Sequence, residues 1–171
     1  MIGLRRGKVR LFLHHPRWKY LFEIEKKRIL KKAGAFIIDI QHIGSTAVPG
    51  LSAKPIIDMS IGVRRLKDAK ELKSHLHALG YQFDRSFQHQ LFFAKGPDSK
   101  RTHYLHVMRY KGAKWQNDKL FRDYLQTHLS RAKAYDVLKK KLARLYPEER
   151  QKYSDGKDAF IKRTIELAKR R

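Results

Sequence analysis

Between His42 and Val63 the chain reads HIGSTAVPGLSAKPIIDMSIGV, two β-branched apolar runs joined by a loop that carries Gly44, Pro49 and Gly50. Proline lacks an amide donor and glycine disfavours helix, so no helix passes through this loop and the runs on either side are separate strands. In the second run, Pro55 to Val63, Ile57, Met59 and Ile61 fall on one face while Ile56, Asp58 and Ser60 fall on the other. Aspartate is unfavourable in strands, so its presence inside an isoleucine-rich run points to a chemical use for the carboxylate. The amides around a Gly-Ser turn can approach phosphate oxygens closely, and Ser45 adds a small hydroxyl. A carboxylate on the following strand is suited to hold Mg²⁺ against the same phosphates.

The flanking segments show what surrounds this unit. Residues 1–16 are basic and irregular, an N-terminal arm or a first short strand. Trp18, Leu21, Phe22, Ile29 and Ala33 mark a helix over Arg17 to Lys32, with Gly34 placed to end it, and Phe36 to Ile43 reads as a strand. Asp68 is placed to cap a helix that buries Leu72, Leu76 and Leu79 and stops at Gly80. Strands follow near Tyr81 to Arg85, Gln90 to Ala94 and Thr102 to Arg109. Beyond Trp115 the pattern is helical, with starts at Asn117 or Asp118, at Ser130 and near Asp155, and Pro147 ends the second of these helices. The expected fold class is α/β (α+β): a mixed or antiparallel sheet over about residues 35–110 flanked by helices, with a helical C-terminal portion over about 115–171. With 171 residues, one domain over 17–171 is the expectation.

The chain has no cysteine, which excludes disulfides, zinc-thiolate sites and thiol catalysis. Its apolar stretch from Val9 to Leu13 is interrupted by Arg10 and is too short for a signal sequence, and no segment approaches a membrane span. A cytoplasmic protein with no membrane association is expected. Forty Lys and Arg against sixteen Asp and Glu give a net charge of +24, spread as +11 over residues 1–99 and +13 over the rest. That excess suits an anionic partner, either a nucleotide or another phosphorylated small molecule, or RNA, while its even spread equally fits a solvated lysine-rich surface.

Several segments together carry a family resemblance. The string HIGSTAVPGL with AKPIID, then RTHYLHVM at 101–108, LFRDYL at 120–125, and Tyr153 with Lys157 ahead of Phe160 and Ile161, resemble the GrpB-like family. That family is related to the nucleotidyltransferase superfamily and is also found fused to dephospho-coenzyme A kinases. The resemblance implies a nucleotidyltransferase-like core and nucleotidyl or phosphoryl transfer with a divalent metal, Mg²⁺ or Mn²⁺. In the superfamily a Gly-Ser pair opens the motif and two carboxylates one residue apart on the next strand bind metal. Here Asp58 follows Ser45 by 13 residues, which suits the pattern, but Ser60 occupies the second carboxylate position. The alternative is therefore a non-catalytic nucleotide- or RNA-binding module that has lost the full carboxylate set.

The candidate catalytic and metal-binding residues are Asp58 and His106. His106 shares a strand face with Tyr104 and Met108, whereas His103 shares the opposite face with Leu105, so only one of the two can stand beside Asp58, and the resemblance points to His106, since a third metal ligand of the superfamily comes from a comparable strand. Candidates for holding phosphate are Gly44, Ser45, Thr46 and Lys54 on the loop. Arg101, His103, Arg109 and Arg122 are candidates for a phosphate-binding wall, because guanidinium groups make bidentate contacts. His42 is expected to support the loop, and Tyr135 and Tyr153 to pack in the core.

Overall fold

Alternation on the strand Ile57–Val63 (β2) sorts the molecule into two layers around one sheet. The computed structural model describes residues 2–170, and of Asp68 the backbone alone, so the expected Asp68 cap lies outside the described side chains. The other strands are Asp39–Ile43 (β1), Tyr81–Phe87 (β3), Gln90–Lys95 (β4) and His103–Arg109 (β5), in the spatial order β1-β2-β5-β4-β3. Only β2 and β5 run parallel, with Asp58 opposite Tyr104 and Ser60 opposite His106, and the remaining pairings are antiparallel. The sheet is thus mixed.

Ile57, Met59 and Ile61 of β2 and Leu105 and Val107 of β5 are fully buried beneath helices Arg17–Ala33 (α1) and Ala69–Ala78 (α2). Each such side chain contributes about 1.5–3 kcal/mol on burial, which anchors the register of the central pair. α1 presents Trp18, Phe22, Glu25, Ile29 and Ala33 to this layer. Its buried Glu25 accepts from Lys95 Nζ at 2.6 Å and from the Tyr81 hydroxyl at 3.0 Å, so the charge enters the core already paired.

The opposite face of β2 and β5 offers Asp58, Ser60 and Gly62 and Tyr104, His106 and Met108, and it is polar at its centre. Helices Ala113–Thr127 (α3), Leu129–Leu145 (α4) and Arg150–Lys169 (α5) stand over this side. Val48 and Leu51 of the long loop pack with Leu125, Ala132 and Tyr135, which ties the loop to the helical layer.

Most element boundaries match the expectation, and the differences have local causes. Gly34 keeps a helical φ of −56°, so α1 runs on into a 3₁₀ turn, Gly34–Phe36, and β1 begins only at Asp39, where pairing with β2 becomes available. α3 starts at Ala113 and α5 at Arg150, both ahead of the residues marked by sequence, because neither has a side-chain cap or an acidic first turn to announce it. Residues 2–16 lie along the body: Leu4 bridges Arg101, Phe12 bridges Ala53, and the Val9 amide donates to the Pro147 carbonyl at 2.7 Å. Among the described residues no helix is long and apolar enough to cross a membrane.

Candidate functional site

The turn that follows β1 is built on Gly44, whose φ of +71° is open to glycine and strained for other residues. A Cβ there would meet Asp58 Oδ2 at 3.1 Å and Asp58 Cβ at 3.2 Å, so the bare glycine lets the turn lie directly against the β2 carboxylate. Ser45–Ala47 then forms one 3₁₀ turn. Ser45 Oγ accepts from Lys139 Nζ at 3.2 Å. Lys139, 1% exposed, also donates to the Ser52 carbonyl and lies 3.6 Å from Asp136 Oδ1, so one ammonium pins both ends of the loop. His42 supports the turn as expected, although its Nε2 meets the Thr46 hydroxyl, at 3.0 Å, and not a backbone group. Burial pushes the His42 imidazole down to about 4, with Asp58 opposing, so His42 is neutral near pH 7.

Gly44, Ser45, Thr46, Lys54, Asp58 and His106 line one cavity of about 390 Å³, closed on its far side by Arg150, Tyr153 and Lys157 of α5 and by Lys114 and Asp118 of α3. His106 Nε2 is 3.5 Å from Asp58 Oδ1. Burial alone would raise the Asp58 carboxyl, but its hydrogen bond and charge contact with His106, together with Lys54 and Arg150, hold it below the usual range. Among the described residues Lys54, Arg150 and Lys157 have no carboxylate within ion-pair distance. Lys54 is pushed down to about 7 by burial and by repulsion from Arg150 and Lys157, with Asp58 opposing. Lys157 is pushed down to about 8, chiefly by burial. The Tyr153 ring lies between their stems, 5.6 Å from Lys54 Nζ and 4.3 Å from Lys157 Nζ.

The expected wall of Arg101, His103, Arg109 and Arg122 does not assemble, since none of the four lines this cavity. Arg101 is buried at the turn before β5, donating to the Gly96 carbonyl and to Asp98, where it organises the chain locally. His103 faces the other layer, bonded to Thr102 Oγ1 at 2.9 Å, and burial pushes it down to about 4. Arg122 donates to Gln41 Oε1 at 2.9 Å and to the His42 carbonyl at 2.8 Å, fastening α3 to the edge strand β1. Arg109 borders a separate cleft with Arg64 and Lys114.

The structure supplies in their place residues that sequence reasoning misses. Arg150 has no motif to mark it, and Lys139 is one lysine among many. Tyr153 and Lys157 carry a signal in their recurrence with the family signature, and their four-residue spacing puts both on one face of α5. Asp118 of α3 brings Oδ2 to 3.5 Å from Ser60 Oγ, so a carboxylate from a helix stands beside Ser60 on the strand. Lys114 bonds that carboxylate. Among the described residues no group of three or more His, Asp or Glu comes together to hold a metal ion. Asp58 and His106 offer two donors.

The site is thus a mixed α+β sheet carrying a Gly-Ser turn against a partly buried carboxylate, faced by Lys54, Arg150 and Lys157 from the loop and α5. Over residues 8–167 the chain matches the GrpB protein family, and it belongs to that family. It is 40% identical over 165 residues to the UPF0157 protein YqkA of Bacillus subtilis, covering 95% of this chain and 48% of YqkA, so it spans about half the length of that relative. It is 39% identical to the glutamate-rich protein GrpB of Alkalihalophilus pseudofirmus, covering 94% of this chain and 96% of that protein. A protein of Mycolicibacterium paratuberculosis named dephospho-CoA kinase is 32% identical over 102 residues, 58% of this chain and 24% of its own length. The crystal structure of the conserved protein GrpB from Enterococcus faecalis superposes with a TM-score of 0.84 at 32% identity, over 93% of this chain and 96% of that one.

Proposed function

We propose that the cavity between the Gly44–Ser45 turn, Asp58 and α5 binds a nucleotide or another phosphorylated small molecule. The observation that carries this reading is the set of three basic side chains, Lys54, Arg150 and Lys157, facing a cavity of about 390 Å³ with no carboxylate within ion-pair distance among the described residues and outweighing the nearby Asp58. Desolvated ammonium groups are costly unless an anion joins them, and a cavity of this size falls within the roughly 300–1,000 Å³ range of small-ligand sites. Perturbed lysines beside a carboxylate–imidazole pair are the pattern of a functional site.

With two protein donors at most, a divalent ion would be held largely by the ligand's own phosphate oxygens, Asp58 and His106 completing its shell. If the protein turns over, the class of reaction is nucleotidyl or phosphoryl transfer, in which positioning and charge neutralisation dominate. The incomplete carboxylate set favours a second reading, binding without turnover.

A thermal-shift panel of nucleotides, with and without Mg²⁺ or Mn²⁺, on the wild type, Asp58→Ala and Arg150→Ala tests the site. Ligand at about 100 times its Kd adds roughly 2.7 kcal/mol of stability. Stabilisation lost in Arg150→Ala supports the reading, and its dependence on metal and on Asp58 separates metal-assisted from metal-free binding. A panel without effect, or salt-sensitive RNA binding that both variants retain, removes it.

A further inference from the structure

The phosphate-binding cavity has a neighbour across a shared wall. A second cavity of about 400 Å³ is lined by Arg6, Arg85, Phe87, Gln90 and Phe92, and it shares His106, Arg150 and Ser154 with the first. His106 faces both: its Nε2 is 3.5 Å from Asp58 Oδ1 in the first cavity, and its Nδ1 is 3.2 Å from Gln90 Oε1 in the second. The two cavities therefore adjoin at His106, Arg150 and Ser154, beside Asp58.

The two chambers differ in which ring lies open to a ligand. The first is lined by lysines, the Gly-Ser turn and carboxylates, and of its aromatic residues Tyr104, Tyr135 and Tyr153 are buried and Phe121 is half-buried. The second has Phe87 49% exposed at its wall and Phe92 buried, its ring 5.1 Å from that of His106. The Arg85 guanidinium lies 6.0 Å from the Phe87 ring centroid. Arg6 and Arg85 are both occupied by Asp84, which leaves Arg150, shared with the first cavity, as the guanidinium of this chamber without an ion-paired carboxylate. An exposed phenylalanine ring, a guanidinium plane and an amide side chain suit a flat heterocycle, which stacks on the first two and bonds its edge to the third.

We propose that the second cavity is the ring subsite of a nucleoside polyphosphate whose phosphates lie in the first. This deepens the phosphate-binding reading and rests on it. β4 supplies Gln90 and Phe92, β3 supplies Arg85 and Phe87, and the Arg6 segment closes the chamber from outside, so the sheet's β3 end reads the base while the β2 loop reads the phosphates.

The test compares inorganic tripolyphosphate, which fills the first cavity only, with ATP, GTP, CTP and UTP, by calorimetric titration of the full chain. The wild type should bind at least one nucleotide roughly 5- to 150-fold more tightly than tripolyphosphate, the range that one stacked base supplies. Phe87→Ser, a change at an exposed position, should erase that preference while leaving tripolyphosphate affinity as it was, and Phe87→Trp should restore it. Equal affinity for tripolyphosphate and every nucleotide overturns the ring subsite and leaves the phosphate site standing, as does a preference that survives Phe87→Ser. Failure of tripolyphosphate and nucleotides alike overturns both.

Discussion

His106 Nε2 lies 3.5 Å from Asp58 Oδ1, reaching it across two parallel strands from a position opposite Ser60. Asp58 is the next residue before Ser60 on the same face of β2, so the imidazole meets a carboxylate two residues along the neighbouring strand. The pair is only partly buried, opening on the cavity, and its hydrogen-bonding capacity on that side is available to a ligand.

The carboxyl of Asp58 is held below its ordinary value of 3.8 even though burial works against it, because His106, Lys54 and Arg150 favour the anion. A depressed carboxyl contributes stability that is present above pH 3.8 and is lost as the pH falls through its folded value. Asp58→Asn should therefore cost about 1–3 kcal/mol at pH 7, the range of a charge-assisted hydrogen bond, and the difference from wild type should shrink as the pH falls below 3.8. Urea unfolding across the range from neutral to acid pH measures it, and a difference that stays constant with pH contradicts it.

Much of this arrangement is legible in the chain. Alternation in Ile57, Asp58, Met59 and Ser60 places the carboxylate opposite the core, and the same rule separates His106 from His103. What alternation cannot convey is which loop or helix crosses a strand face. Arg101 and Arg122 have a residue type suited to anions, but their positions are fixed by the Gly96 turn and the β1 edge, which the linear pattern does not reveal. Asp118 and Arg150 are obscure for the same reason: they gain meaning only when α3 and α5 fold over the sheet. The start of α5 is itself silent in sequence, because a first turn without acids leaves no signal.

Lys54 and Lys157 link ligand capture to protons. The unfolded ammonium groups release their protons near 10.5, whereas in the folded protein burial brings the values down to about 7 and about 8. Between those folded values and 10.5 the unfolded chain holds more protons, so the cost that these two groups impose on folding is full below the window and is relieved as pH rises through it. A bound phosphate reverses the local field and favours the ammonium forms. Binding of ATP at about pH 8 should therefore take up protons, while binding at about pH 6, where both lysines already carry charge, should take up fewer. Calorimetric titration in two buffers of different ionisation enthalpy gives the count directly. Equal uptake at the two pH values would mean that neither lysine meets the phosphates.

Gly44 is the position where backbone geometry and chemistry meet. Its φ of +71° is strained for an alanine, and the added Cβ would sit 3.1 Å from Asp58 Oδ2, tight enough that the carboxylate or the turn must give way. The backbone strain alone is worth roughly 1–3 kcal/mol, and movement of the turn would carry Ser45 away from Lys139. Gly44→Ala should thus lower stability by about that amount and also weaken phosphate binding more than its loss of stability explains. Gly50, which also has a positive φ of +81° but would place an added methyl with nothing within 4 Å, provides the control. Gly50→Ala should show the backbone cost alone, with tripolyphosphate affinity unchanged. If both variants lose affinity equally, the contact of the turn with Asp58 is not what shapes the site.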